Sequence, residues 1–224
     1  MDNNVTISPV PHVEPPRDCP LCPRLVAFRE GLRVQHPDWW NAPVPVFGDP
    51  GAWLGIVGLA PGMHGANRTG RAFTGDYAGL LLYRTLLKFG LAEGRYAERP
   101  DDGLRLHGVA IINSVRCLPP QNKPTPQEVT TCRSFYTAAL GSLPNVRILV
   151  ALGAIAHGSA VRTAGGVLAR MKFGHLAEHL LADGRVLIDS YHCSRYNQNT
   201  NVLTADMFES VFARALERRE TLSL

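Results

Sequence analysis

Lysine is scarce in this chain of 224 residues. It occurs only at Lys88, Lys123 and Lys172, so arginine supplies nearly all the positive charge. Arginine grips phosphates bidentately and stacks on bases, although a GC-rich genome produces the same bias. The net charge of +4 permits nucleic-acid binding without requiring it. No run of 18 apolar residues occurs, so no membrane span is expected. Residues 1–17 carry several prolines and no apolar h-region, and read as a flexible tail rather than a signal peptide. The glycine-rich stretch at 58–76 is not followed by Gly-Lys-Ser/Thr and lacks Gly-x-Gly-x-x-Gly spacing, which excludes a P-loop and a dinucleotide fingerprint there. No internal repeat and no heptad pattern is visible. What remains is an apolar fraction of 45%, enough for one globular domain, expected over residues 18–224.

Five cysteines are present. Without a secretion signal, disulfides are not expected and the compartment is expected to be the cytoplasm. Cys19 and Cys22 form a C-x2-C pair, while Cys117 and Cys132 flank a proline-rich segment. Such a set reads as a metal site. Four thiolates suit tetrahedral zinc or an iron–sulfur cluster, and the wide second pair leans towards the cluster. Cys193 stands apart and reads as an inert buried thiol.

Four apolar runs, 53–57, 108–112, 147–152 and 185–188, look like buried strands. Runs apolar throughout fit a parallel sheet covered on both faces. Helical patterns lie at 22–34, 77–89, 125–140, 153–162 and 203–218, with Thr125 and Thr204 placed as N-caps and Pro126 at the first helical position. The alternation predicts a three-layer α/β/α sandwich around a central, mainly parallel four-stranded sheet. Residues 91–107 read as a surface connection.

In such a sheet the loops after the strands share one edge, where ligands bind. The loop at 58–76 offers five glycines for close backbone approach, Phe73 for stacking, and the polar groups of His64, Asn67, Arg68 and Asp76. Asp76 also stands where a helix N-cap would. Asn113 follows an apolar strand directly, and its amide presents a donor beside an acceptor, which matches the edge of a base. The segment 189–200 is dense in hydroxyls and amides, with His192, Arg195 and Tyr196 suited to nucleic acid.

Together, the 58–76 loop, the cysteine spacing and the run Ser190-Tyr-His-Cys-Ser-Arg-Tyr-Asn-Gln-Asn-Thr200 resemble the family 5 uracil-DNA glycosylases, the UDGb type, over about residues 19–214. The resemblance implies an α/β/α fold, a [4Fe–4S] cluster on Cys19, Cys22, Cys117 and Cys132, and excision of uracil and other deaminated bases such as hypoxanthine. Two departures stand out. Related families place an acidic or polar residue in the first motif, whereas Gly58-Leu-Ala-Pro61 has none, as family 5 does. The usual His-Pro-Ser of the superfamily reads His192-Cys193-Ser194.

The expected partner is double-stranded DNA carrying a damaged base, and the expected state is a monomer. Ser194, Arg195 and Tyr196 would enter a groove. The flipped base would lie against Phe73, be read by Asn113, and meet backbone amides at Ala60 to Gly62. His192 would stabilise the departing base, with Asp76 and Asn122 serving the water or the cationic sugar. Because the first motif has no acid, a non-catalytic DNA-binding iron–sulfur protein is the rival reading, and a zinc-stabilised hydrolase the third.

Overall fold

The structure, a computed structural model, describes residues 14–223. In chain order the elements are α1 (Pro23–Gln35), β1 (Phe47–Gly48), β2 (Leu54–Gly58), α2 (Ala66–Thr69), α3 (Tyr77–Lys88), β3 (Ala92–Glu93), β4 (Arg105–Leu106), β5 (Val109–Asn113), α4 (Pro126–Gly141), β6 (Ile148–Leu152), α5 (Ala154–Thr163), β7 (Glu178–Leu180), β8 (Val186–Ser190), α6 (Arg195–Asn199) and α7 (Ala205–Thr221).

The main sheet has six strands in the order β1-β5-β2-β6-β8-β7, not the four expected. The four expected strands are its parallel centre, and β1 and β7 add antiparallel edges. The edges are two and three residues long and carry no apolar run, so nothing in their own composition marks them. A separate hairpin, β3 with β4, lies in the segment read as a surface connection.

Strand side chains alternate between faces, and the centre strands are apolar on both. Leu54, Ile56, Val109, Ile111, Ile148, Val150 and Ile188 face one layer with Leu82, Leu86, Phe208 and Phe212 of α3 and α7. Val57, Ala110, Ile112, Leu149 and Leu187 face the other, with Tyr136, Ala139 and Ala160 of α4 and α5. Each fully buried Leu, Ile or Phe contributes about 2 kcal/mol. The helices start where capping chemistry allows. Thr125 and Glu128 form a reciprocal capping box on α4, and the side chains of Asp76 and Thr204 cap α3 and α7.

Of the tail expected at 1–17, residues 1–13 lie outside the described residues. Glu14 accepts from Val46 N at 2.8 Å and pairs with Arg116, and Arg17 donates to the Trp40 carbonyl at 3.2 Å. Among the described residues no helix is long and apolar enough to cross a membrane.

Candidate active site

The parallel centre aligns Gly58 at the end of β2 with Asn113 at the end of β5. The pairing continues into the loops, where Ser114 N and Val115 N donate to the carbonyls of Gly58 and Leu59 at 2.9 Å. Beyond these strand ends lies a cavity of about 380 Å³, in the range of small-molecule pockets. Its walls come from the β2 loop (Ala60, Gly62, Phe73), the start of α3 (Asp76), the β5 loop (Asn113, Asn122) and the segment after β8 (His192, Ser194, Arg195). The site residues expected from sequence apart from the cysteines therefore meet here, except Tyr196, and of the polar groups of the 58–76 loop only Asp76 lines the cavity, not His64, Asn67 or Arg68. The Tyr196 ring follows on α6 and is 73% exposed at the surface.

Gly58 explains the base of the pocket. A Cβ there would lie 2.3 Å from Asn113 Oδ1 and 3.0 Å from the Phe73 ring, so only glycine lets the amide and the ring share that space. Asn113 is 3% exposed, and its Oδ1 is buried without a hydrogen-bond partner among the described residues. An unpaired buried acceptor costs about 1–3 kcal/mol, which a ligand N–H would recover.

Phe73 is buried and held with φ +53°, a left-handed conformation rare for a bulky residue. The segment read as a surface connection holds it there. Tyr96 Oη donates to the Phe73 carbonyl at 3.1 Å and accepts from Gly75 N at 3.2 Å. Two residues earlier, buried Arg71 forms a bidentate pair with Asp102 at 2.8 Å, its guanidinium against the rings of Phe47, Tyr83 and Tyr96. Burial raises the Asp102 pKa, but bonds from Arg71, Ala97 N and Leu104 N outweigh it and hold the carboxyl well below its usual range. Sequence reasoning missed Arg71, Tyr96 and Asp102, and their only signal is the mixture of Tyr with paired charges in a polar stretch.

Asp76 does two things. Its Oδ1 accepts from Gly79 N at 3.1 Å and caps α3. Its Oδ2 packs over Gly62 and Gly65, where a Cβ on Gly65 would stand 2.4 Å away. Burial raises its pKa above the ordinary carboxylate value, against the backbone N–H bonds of Gly79 and Ala78. Asn122 sits exposed on the pocket rim with φ +56°, a conformation asparagine tolerates.

His192 lies across from Phe73, with ring centroids 6.3 Å apart. Burial pushes its pKa down to about 4, so the imidazole is neutral at physiological pH. The segment folds on itself. Asn197 Nδ2 donates to the His192 carbonyl at 2.8 Å, Gln198 Nε2 to the Cys193 carbonyl at 2.7 Å, and Ser194 Oγ accepts from Asn197 N at 3.3 Å as the cap of α6. The expected loop is thus partly a short helix. It projects Arg195 over the Tyr77 ring at 5.1 Å. Cys193 is fully buried, and burial raises its thiol pKa.

Behind the pocket, Cys19, Cys22, Cys117 and Cys132 line one interior cavity, with Arg29 and Arg116 beside them. Arg24 clamps α1 to α4 through Glu128 at 2.7 and 2.8 Å, which brings the two cysteine pairs together. Burial first, then the neighbouring thiols, pushes Cys117 up to about 12 and Cys132 up to about 11. The guanidinium groups of Arg29 and Arg116 are buried, and Arg29 Nε and Arg116 Nε and Nη1 lack partners among the described residues. The apolar side of this cluster, Leu25, Val115 and Val129, packs against Ala60 of the pocket wall.

A mainly parallel α/β/α sheet whose strand ends enclose a base-sized pocket with one unpaired amide is the architecture of a base-excising glycosylase. The Uracil DNA glycosylase superfamily model matches residues 45–216. Three curated relatives are type-5 uracil-DNA glycosylases. That of Thermus thermophilus is 46% identical over 88% of this chain and 92% of its own length. Those of Pyrobaculum aerophilum and Mycobacterium bovis are 38% and 40% identical, each over 88% of this chain and over 88% and 76% of their own. The chain belongs to the type-5 uracil-DNA glycosylases.

Proposed function

We propose that this protein hydrolyses the N-glycosidic bond of uracil, and of hypoxanthine, in double-stranded DNA and leaves an abasic site. The observation that carries the reading is the buried, partnerless Oδ1 of Asn113 beside the Phe73 ring. Uracil presents an N–H next to a carbonyl oxygen, and so does hypoxanthine. A side-chain amide accepts from the first and donates to the second, whereas cytosine offers the opposite pattern. The base must leave the stack to reach the cavity, at a cost of a few kcal/mol. Ser194, Arg195 and exposed Tyr196 stand where they can hold the strand and fill the gap.

As the glycosidic bond breaks, negative charge grows on the base and positive charge on the sugar. Neutral His192 and the backbone N–H groups of Ala60 and Gly62 donate to the base oxygen. The Asp76 carboxylate faces the cationic sugar and, with Asn122 at the rim, orients the water whose oxygen bonds to the sugar carbon. The departing base takes up a proton. One chain supplies the whole pocket, which supports a monomer.

Cys19, Cys22, Cys117 and Cys132 are proposed to hold a [4Fe–4S] cluster. The four line one cavity, and the guanidinium N–H groups of Arg29 and Arg116 left without partners among the described residues suit the negative charge of such a cluster. When bound, the cluster would tie α1, the β5 loop and α4 together behind Ala60.

The test is a labelled duplex with one U opposite G, incubated with anaerobically purified protein and treated with alkali. Brown protein absorbing near 400 nm and cleavage at the uracil alone are expected. An intact strand from cluster-loaded protein, with the same duplex shifted in a gel, would leave a non-catalytic DNA-binding protein instead.

The low pKa of His192 makes a second expectation. The unfolded imidazole titrates near 6.5 and the folded one near 4. The folded state therefore binds fewer protons in between, and this contribution to stability is present above 6.5 and lost as pH falls towards 4. Single-turnover excision is expected to show no titration near 6.5, because His192 is already neutral there. A loss of rate as pH rises through 6.5 that vanishes in His192→Gln would show a charged imidazole at work.

A further inference from the structure

Where α5, β7 and β8 meet, His157 of α5, His179 of β7 and Asp189 of β8 each bring one ligand atom to within 4.8 Å of the others. Asp189 and His157 are buried and His179 is largely so. None of the three has a part in the reaction described above.

The hydrogen bonding of His157 decides what the group can do. Its Nε2 lies 2.9 Å from the Met171 carbonyl, which only accepts, so Nε2 carries the proton. Nδ1 faces a second acceptor, Asp189 Oδ1, at 2.9 Å. Two lone pairs at that distance repel unless something positive lies between them. A second gap of the same kind adjoins the first. His179 Nε2 and Asp189 Oδ2 are 3.4 Å apart, and both atoms are buried without a hydrogen-bond partner among the described residues. Protons would have to fill the two gaps separately, whereas a single cation bound to both imidazoles and the carboxylate fills both at once.

We propose that His157 Nδ1, His179 Nε2 and the Asp189 carboxylate form a binding site for one zinc ion, separate from the four cysteines. The ligand spacings of 2.9 and 3.4 Å bracket the separation of about 3.3 Å between corners of a tetrahedron with metal bonds of about 2.0–2.1 Å. Two imidazoles and a carboxylate are a zinc donor set, and the Met171 carbonyl is the outer partner that zinc-bound histidines use to fix their tautomer. The Phe173 ring, edge-on to His157 at 5.7 Å, covers the site. The ion would pin α5, β7 and β8 together three residues before His192, beneath the segment that presents the DNA contacts.

The test uses the full chain with its cysteines loaded as purified. It is equilibrated with zinc, desalted, and read by metal counting and zinc K-edge absorption. One zinc per chain in a nitrogen and oxygen shell near 2.0–2.1 Å is expected, with a higher Tm than zinc-free protein. His179→Gln, which leaves every cysteine in place, is expected to weaken zinc binding at least tenfold and to abolish the Tm rise. No retained zinc, or zinc only in a sulfur shell near 2.3 Å, overturns the site. If His179→Gln fails to fold, the shell measured on the unmodified chain decides by itself.

Discussion

Asn113→Ala is expected to lower kcat/KM for uracil excision about 10²–10³-fold, a loss of about 3–4 kcal/mol in transition-state binding. Yet its effect on folding should be small. A buried amide is usually costly to remove because a partner is left unpaired. Here Oδ1 has no partner among the described residues, so truncation strands nothing on that side and lifts a desolvation penalty. Some cavity cost remains, but the site already opens onto about 380 Å³. The expected signature is therefore a Tm within a few degrees of the parent together with collapsed activity. Thermal unfolding and single-turnover excision of one preparation measure both. Activity within threefold of the parent would remove Asn113 from base recognition. Asn113→Asp sharpens the test, since a carboxylate offers acceptors alone and repels the base carbonyl. It should be no better than alanine at neutral pH.

The legible and illegible parts of this molecule divide along physical lines. The four central strands could be read because both their faces are buried and every residue before the last one or two positions is apolar. Their observed bounds shift towards the C-terminus, as at Leu54–Gly58 against 53–57, because Gly58, Asn113 and Ser190 stay in the ladder though glycine, amide and hydroxyl do not look like strand. The pocket followed from those strands, since parallel order forces their following loops to one edge. Edge strands β1 and β7 were illegible because a neighbour, not their own sequence, makes them strands. The clamp on Phe73 was illegible for another reason. Arg71 and Asp102 are 31 residues apart, and each taken alone is an ordinary charged residue. The group of His157, His179 and Asp189 is scattered in the same way, and only the packing of α5 against β8 unites it.

Asp76→Asn separates two roles that one side chain combines. As N-cap of α3, Asp76 uses Oδ1, and asparagine caps about as well as aspartate. The helix should therefore keep its start, and Tm should change by only a few degrees. What disappears is the charge at Oδ2, held over Gly62 and Gly65 at the pocket wall. If that carboxylate steadies the cationic sugar or its water, the single-turnover rate falls about 10²–10³-fold with little change in DNA affinity. Asp76→Ala should lose the same activity and, in addition, about 1 kcal/mol of stability through the missing cap. The pH profile gives an independent reading. Burial places this carboxyl above the usual aspartate value even though the positive end of α3 favours its charge. Protonation would switch the group off, so the parent's acid limb should lie above 3.8 and vanish in Asp76→Asn. A variant that excises uracil within threefold of the parent rate, with that limb intact, would reduce Asp76 to a cap and pass the water to Asn122 at the rim.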